Sequence, residues 1–148
     1  VGNLKILVNR KPGTEDIPLP QYQTEGAAGM DIHSAVEITL YPGDRALIST
    51  GLRVALPPGH ELQIRSRSGM AAKEGLFVLN SPGTVDEDFR GELVIILLNT
   101  SGQSHHIPRG TRIAQAVLCP VTRADGWEEV DELPPSRRGE GGLGSTGR

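Results

Sequence analysis

The chain has 148 residues, a formal net charge of −3 and only 3% aromatic residues. That length points to one domain, and the slight negative charge provides no general attraction to nucleic acid. A single cysteine excludes an intrachain disulfide and suits a reducing cytoplasm, and no apolar run nears the roughly 20 residues of a membrane span.

The opening VGNLKILVNR lacks the charged-then-apolar layout of a signal peptide. Within it Leu4, Ile6 and Val8 alternate with Lys5, Leu7 and Asn9. Met30, Ile32, Val36, Ile38 and Leu40 share one parity, as do Leu52, Val54 and Leu56, then Leu62 and Ile64. Pro-Gly pairs at Pro12-Gly13, Pro42-Gly43, Pro58-Gly59 and Pro82-Gly83 predict type II turns between these runs. Ser68 is placed to cap a short helix over 70–74, with Gly75 ending it in the left-handed conformation. The unbroken apolar run 93–98 predicts a strand buried on both faces. Many short strands at close spacing imply an all-β sandwich or barrel. An acidic stretch then leads to Pro134-Pro135. The expected organisation is therefore a packed domain over 1–124, a linker over 125–136 and a flexible tail over 137–148.

The tail reads RRGEGGLGSTGR, too poor in apolar surface to fold alone but rich in the N–H groups and guanidinium forks that suit phosphate. Its G-x-G-x-x-G match at 139–144 has no strand before it and the chain stops after it, so a dinucleotide site is rejected. Ser145 stands where a P-loop needs lysine. A disordered tail without a role is the bland alternative.

The loop before 93–98 crowds Asp86, Glu87 and Asp88 beside Phe89 and Arg90. Such a run is commonly a solvated acidic turn, yet an aspartate can also orient a water. Arg65 and Arg67 flank the helix start, where free N–H groups favour anions; the alternative is an exposed basic strand end. Gln115 shares its strand parity with Ile113 and Val117, and its amide needs a partner, either backbone or ligand. His105 and His106 are adjacent, and on a strand would face opposite ways, a poor layout for a shared metal. His33 and His60 are isolated and expected at the surface, and Cys119 is expected to be packed rather than reactive.

Together AAGMDIHSA (27–35), RSGMA (67–71), NSPGTVDEDFRGE (80–92), RGTRIAQ (109–115) and RGEGGLGSTG (138–147) closely resemble the five ordered motifs of trimeric deoxyuridine triphosphatases. The resemblance runs from about residue 27 to the C-terminus. It implies a jelly-roll-like β barrel, a homotrimer with active sites shared between subunits, and magnesium-dependent hydrolysis of dUTP to dUMP and pyrophosphate. That reaction keeps uracil out of DNA and supplies dUMP for thymidylate synthesis. Carried over, Asn80, the backbone of Thr84, Val85 and Asp86, and Val94 line base and sugar, and Asp86 is the general base that orients water toward the α-phosphorus. Phe89, usually Tyr, packs on the deoxyribose and excludes a 2′-hydroxyl. Arg67, Ser68, Gly69 and Gln115 contact phosphates, and Asp31 acts near the metal through water, not as a direct ligand. The tail closes over the triphosphate through Arg138, Gly144, Ser145 and Thr146, with Leu143 where the family usually has Phe.

Two rivals remain. Deoxycytidine triphosphate deaminases share this fold family, but they carry an Arg a few residues past the second motif and a catalytic Glu in the strand after the third. This chain has neither, and Ile96 stands where the Glu would align. A non-catalytic trimeric binding protein is opposed by the presence of Asp86, Gln115 and Arg138.

Overall fold

Alternating apolar residues form short antiparallel strands whose inward side chains make one core. The computed structural model describes residues 4–147; Val1–Asn3 and Arg148, the outer ends of the expected domain and tail, lie outside the described residues. In order, the elements are β1 (Leu7–Arg10), β2 (Met30–His33), β3 (Ile38–Leu40), β4 (Arg45–Ala55), β5 (His60–Arg65), α1 (Ser68–Glu74), β6 (Leu76–Val78), β7 (Gly83–Val85), β8 (Glu92–Asn99), β9 (His105–Ile107) and β10 (Arg112–Pro120). They make two four-stranded sheets, β1-β4-β8-β6 and β2-β10-β5-β7, and a two-stranded sheet β3-β9. All pairings are antiparallel. The class is all-β, as expected, but the hydrogen-bonded ladder does not close into a barrel. Ile32, Ile48, Leu76, Ile95, Leu97 and Ile113 fill the space between the sheets and are almost wholly buried. Each such side chain contributes about 1.5–3 kcal/mol relative to exposure.

Three local expectations change. Gly13, Gly43 and Gly59 have the positive φ of a type II turn, but Gly83 does not; it enters β7 after a cis Ser81-Pro82 bond. Ser68 is the first helical residue rather than the cap: Arg67 holds the N-cap position with extended backbone and no side-chain cap bond. Gly75 does end α1 left-handed, at φ 68°. Finally, β8 is buried on one face only. Leu93, Ile95 and Leu97 point into the core, whereas Val94 is 40% exposed and Ile96 and Leu98 are half-buried.

The loop leading into β10 is tied to the N-terminal segment. Arg109 donates from Nη1 to Asp16 Oδ2 at 2.7 Å and from Nη2 to Asp16 Oδ1 at 2.9 Å and Gly13 O at 2.8 Å. This fork lowers the Asp16 pKa to about 2. After β10 the chain runs exposed from 122 to 140, with Trp127 and Leu133 uncovered.

Candidate active site

The 80–92 segment builds one side of a cavity of about 240 Å³. Asn80, Thr84, Val85, Asp86, Phe89 and Val94 all line it, so every residue expected to read base and sugar is present. Gly83 lets β7 lie close to Ile64 and Asn80: a Cβ there would be 3.2 Å from Ile64 Cβ and 3.3 Å from the Asn80 amide nitrogen. The Asp86–Phe89 turn closes on a Phe89 N–H to Asp86 O bond of 3.2 Å. Arg90 Nη1 donates to Glu87 O at 2.7 Å and to Phe89 O at 3.1 Å, fixing the turn from outside. Glu87 accepts the Gly59 N–H at 2.8 Å, so the second carboxylate of the acidic run is spent anchoring the loop. The Phe89 ring lies across Gly91, where a Cβ would meet its Cζ at 2.5 Å.

Glu92 also lines the cavity, and the sequence motifs had not singled it out. So does Ile96, the position where a deaminase would carry its carboxylate. Among the described residues the only charged ones in its lining are Asp86 and Glu92. Among the described residues, no lining group of this cavity would neutralise a triphosphate.

The cations gather elsewhere. Asp31 on β2 faces Gln115 across the β2–β10 pairing, and Gln115 in turn pairs with Arg65 of β5. The Asp31 carboxylate is mostly buried; its Oδ1 lies 3.3 Å from Arg67 Nε and its Oδ2 3.6 Å from Arg112 Nη1. Gln115 Nε2 donates to Ser66 O at 2.9 Å, so its amide takes the backbone partner. Gly29 makes room for it: a Cβ there would sit 2.2 Å from Gln115 Oε1. The first, second and fourth motifs therefore meet at one place. Beside it Arg67, Gly69, Lys73, Arg112, His105 and His106 line a second cleft of about 430 Å³, and Ser68 is exposed at its helix start.

The histidines depart from expectation in part. His33 is buried at 9% exposure rather than at the surface, and its Nδ1 has no partner. Burial first, and the Arg112 guanidinium second, lower its pKa, against the pull of Asp31. His105 Nε2 lies 2.9 Å from Ser101 Oγ, while His106 meets Thr39 and Glu37. Ile113 does not share the face of Gln115: it is fully buried, because β10 shifts register between Arg112 and Ala114.

In the tail, Arg138 Nε donates to Gly141 O at 2.6 Å, and Ser145 N–H closes a turn onto Gly142 O at 3.0 Å. Leu143, fully exposed, has φ 45°, and Gly144 has φ 85°. Among the described residues the hydrogen bonds of 136–147 stay within that stretch. Cavity, cation cluster and tail are thus three separate parts on one chain. No three His, Cys, Asp or Glu among the described residues group so as to hold a metal ion. No helix among them is long and apolar enough to cross a membrane.

The dUTPase family model matches residues 15–147. The chain is 47% identical over 146 residues to the deoxyuridine 5′-triphosphate nucleotidohydrolase of Anaplasma marginale, covering 97% of this chain and 99% of that protein. It is 49% identical over 148 residues to the protein of the same name from Methylocella silvestris, covering 97% and 92%. The solved structure of Staphylococcus bacteriophage 80alpha dUTPase with dUpNHpp superposes with a TM-score of 0.87 at 27% identity, covering 97% of this chain and 99% of that one. With the motifs in one order, the base-sized cavity and the cation cluster already in place, this match over nearly the whole length means that the chain belongs to the dUTPase family, the dUTP diphosphatases.

Proposed function

We propose that this protein hydrolyses dUTP to dUMP and pyrophosphate by in-line attack of a water that Asp86 orients toward the α-phosphorus. The water oxygen bonds to the α-phosphorus, the bond to the bridging oxygen of the β-phosphate breaks, and Asp86 takes the water's proton. The cavity that carries Asp86 supports this reading, since it is sized for a base and sugar and ends at a carboxylate. Asn80 and the Thr84–Asp86 backbone would read uracil, and Phe89 would cover the deoxyribose face. Phosphoryl transfer depends mostly on positioning and charge stabilisation, so the remaining demand is for cations around the triphosphate.

Those cations lie outside the Asp86 cavity, which argues for an active site assembled from several copies. We infer a homotrimer in which one subunit supplies the base cavity, a second supplies Arg67, Ser68, Gly69 and Gln115, and a tail closes over both. Leu47 is 70% exposed and Trp127 fully so, apolar surface that a lone chain leaves wet. Residues 137–148 would act as the lid and 125–136 as the linker, with Arg138, Leu143, Gly144, Ser145 and Thr146 reaching substrate on closure. Magnesium fits this donor set. With one carboxylate, Asp31, already held by two arginines, an ion would rest mainly on the phosphates and meet Asp31 through water. Bound there, it supplies charge neutralisation at the phosphates. The free Cys119 agrees with a cytoplasmic setting.

Pyrophosphate release from dUTP, UTP and dCTP tests the reading. Turnover of dUTP alone, with Asp86→Asn binding substrate but turning over at least about a hundredfold slower, is the expected result. Near-normal kcat in the Asn variant would remove Asp86 from the role of base.

A further inference from the structure

Arg112 is aimed by a defect in its strand. In an unbroken β10, Arg112 would share the inward parity of Ala114 and Ala116, both wholly buried. Instead Ala114 pairs with Ile32 while Arg112 pairs with His33, so an extra residue is absorbed at Ile113. Ile113 and Ala114 are consecutive and both buried, the mark of a β-bulge. The bulge turns Arg112 outward, onto the face where Asp31 and Gln115 sit. There its Nη1 lies 3.6 Å from Asp31 Oδ2, and its carbonyl accepts the Arg67 Nη1 hydrogen at 3.2 Å. Arg67 Nε is 3.3 Å from the other Asp31 oxygen. One residue therefore touches both partners of the carboxylate–guanidinium pair.

We propose that Arg112 is a positioning residue for dUTP hydrolysis, retaining the Asp31 carboxylate when Arg67 turns from it to the incoming triphosphate. This rests on the reading that Asp31 and Arg67 face the phosphates. A guanidinium shared between a carboxylate and a phosphate must loosen one contact to strengthen the other. The Asp31 side chain is only 15% exposed, and a carboxylate left there without a partner is costly. Arg112 removes that cost, because its own contact is on the opposite carboxylate oxygen. At 47% exposure and 3.6 Å it is a slack second partner in the resting site, able to tighten as Arg67 departs. Its backbone carbonyl meanwhile sets where the Arg67 fork starts from.

The test is steady-state kinetics on the full-length assembled protein, with magnesium titrated, for Arg112→Ala, Arg112→Gln, Arg112→Lys, Asp31→Asn, Arg67→Ala and the Arg112→Ala/Asp31→Asn double variant. Arg112→Ala and Arg112→Gln should raise KM for dUTP about tenfold while kcat changes less than about twofold. Arg112→Lys, which keeps the charge without the fork, should recover most of that loss. On the Asp31→Asn background Arg112→Ala should add nothing, since the group it holds is gone. Impaired Asp31→Asn and Arg67→Ala beside unaffected Arg112 variants would overturn the proposal alone, as would full multiplicativity in the double variant. Unchanged kinetics in both Asp31→Asn and Arg67→Ala would overturn the phosphate-side reading and the proposal with it.

Discussion

Gly29→Ala is the smallest change that should disturb the cluster of Asp31, Arg67, Arg112 and Gln115. The backbone at Gly29 is not in the left-handed region, so alanine meets no conformational obstacle there. Its effect comes from collision: the new Cβ would lie 2.2 Å from Gln115 Oε1, 3.0 Å from Cδ and 3.2 Å from Cβ. A flexible end could yield, but the approach to Gln115 Cβ means the whole side chain must move. Moving it breaks the 2.9 Å bond to Ser66 O. That bond contributes about 0.5–1.5 kcal/mol, and a half-buried carbonyl left without its donor adds to the loss. The expected destabilisation is about 1–3 kcal/mol, the range of an overpacked site. Urea unfolding at fixed protomer concentration should show a lower midpoint with an unchanged slope, and KM for dUTP should rise several-fold. Gln115→Ala loses the bond but clears the space, so Gly29→Ala/Gln115→Ala should be no less stable than Gln115→Ala. A double variant whose loss equals the sum of the two singles would refute the collision as the cause.

Three further outcomes follow from the geometry. Phe89→Ala should lower the dUTP-over-UTP preference by roughly tenfold or more, because the ring that lies across Gly91 lines the cavity where the proposed reading puts the sugar; competition assays with both nucleotides read this directly. Deleting 137–148 should leave the melting temperature nearly unchanged but cut kcat sharply, since the described tail bonds only to itself and to the adjoining Ser136, and a truncated protein at full rate would end the lid reading. The Asp16 carboxyl has its folded pKa depressed to about 2 from 3.8, so its contribution to stability is present above pH 3.8 and is lost as pH falls through 2. Asp16→Asn should flatten that part of an acid-unfolding profile, and an unchanged acid limb would dismiss the Arg109 fork as a contributor.

Much of this architecture was readable from pattern because period-two burial is a local property. Ile32, Leu40, Leu62 and Ile64 fall inward as their parity demands. The parity rule failed where backbone, not side-chain type, decides. Nothing in RGTRIAQ announces that Ile113 and Ala114 both turn inward, and so Arg112 went unmarked while Gln115 was placed beside Ile113. The run 93–98 misled for a different reason: an outward face bordering a cavity is as apolar as a core face, and hydrophobicity alone does not separate them. His33 reads as polar, yet its strand position beside Arg112 buries it. Residue identity marked the candidates, but not their division into a cavity, a cation cluster and a tail. That division depends on which sheet edges lie together, a long-range property.

Among the described residues the Asp86 cavity has no cation in its lining, so on the proposed reading ionic strength would act unequally on the two halves of the substrate. The guanidinium–phosphate attraction proposed for Arg67, at a partly exposed position, would be screened as salt rises. On the proposed reading a neutral ring held against Val94 and Phe89, with hydrogen bonds from Asn80 and the Thr84–Asp86 backbone, would carry no net charge to screen. An uncharged deoxyuridine derivative would therefore hold its affinity in concentrated salt while the natural triphosphate loses ground to it. Competition between the two becomes a matter of electrolyte, and brine favours the uncharged derivative.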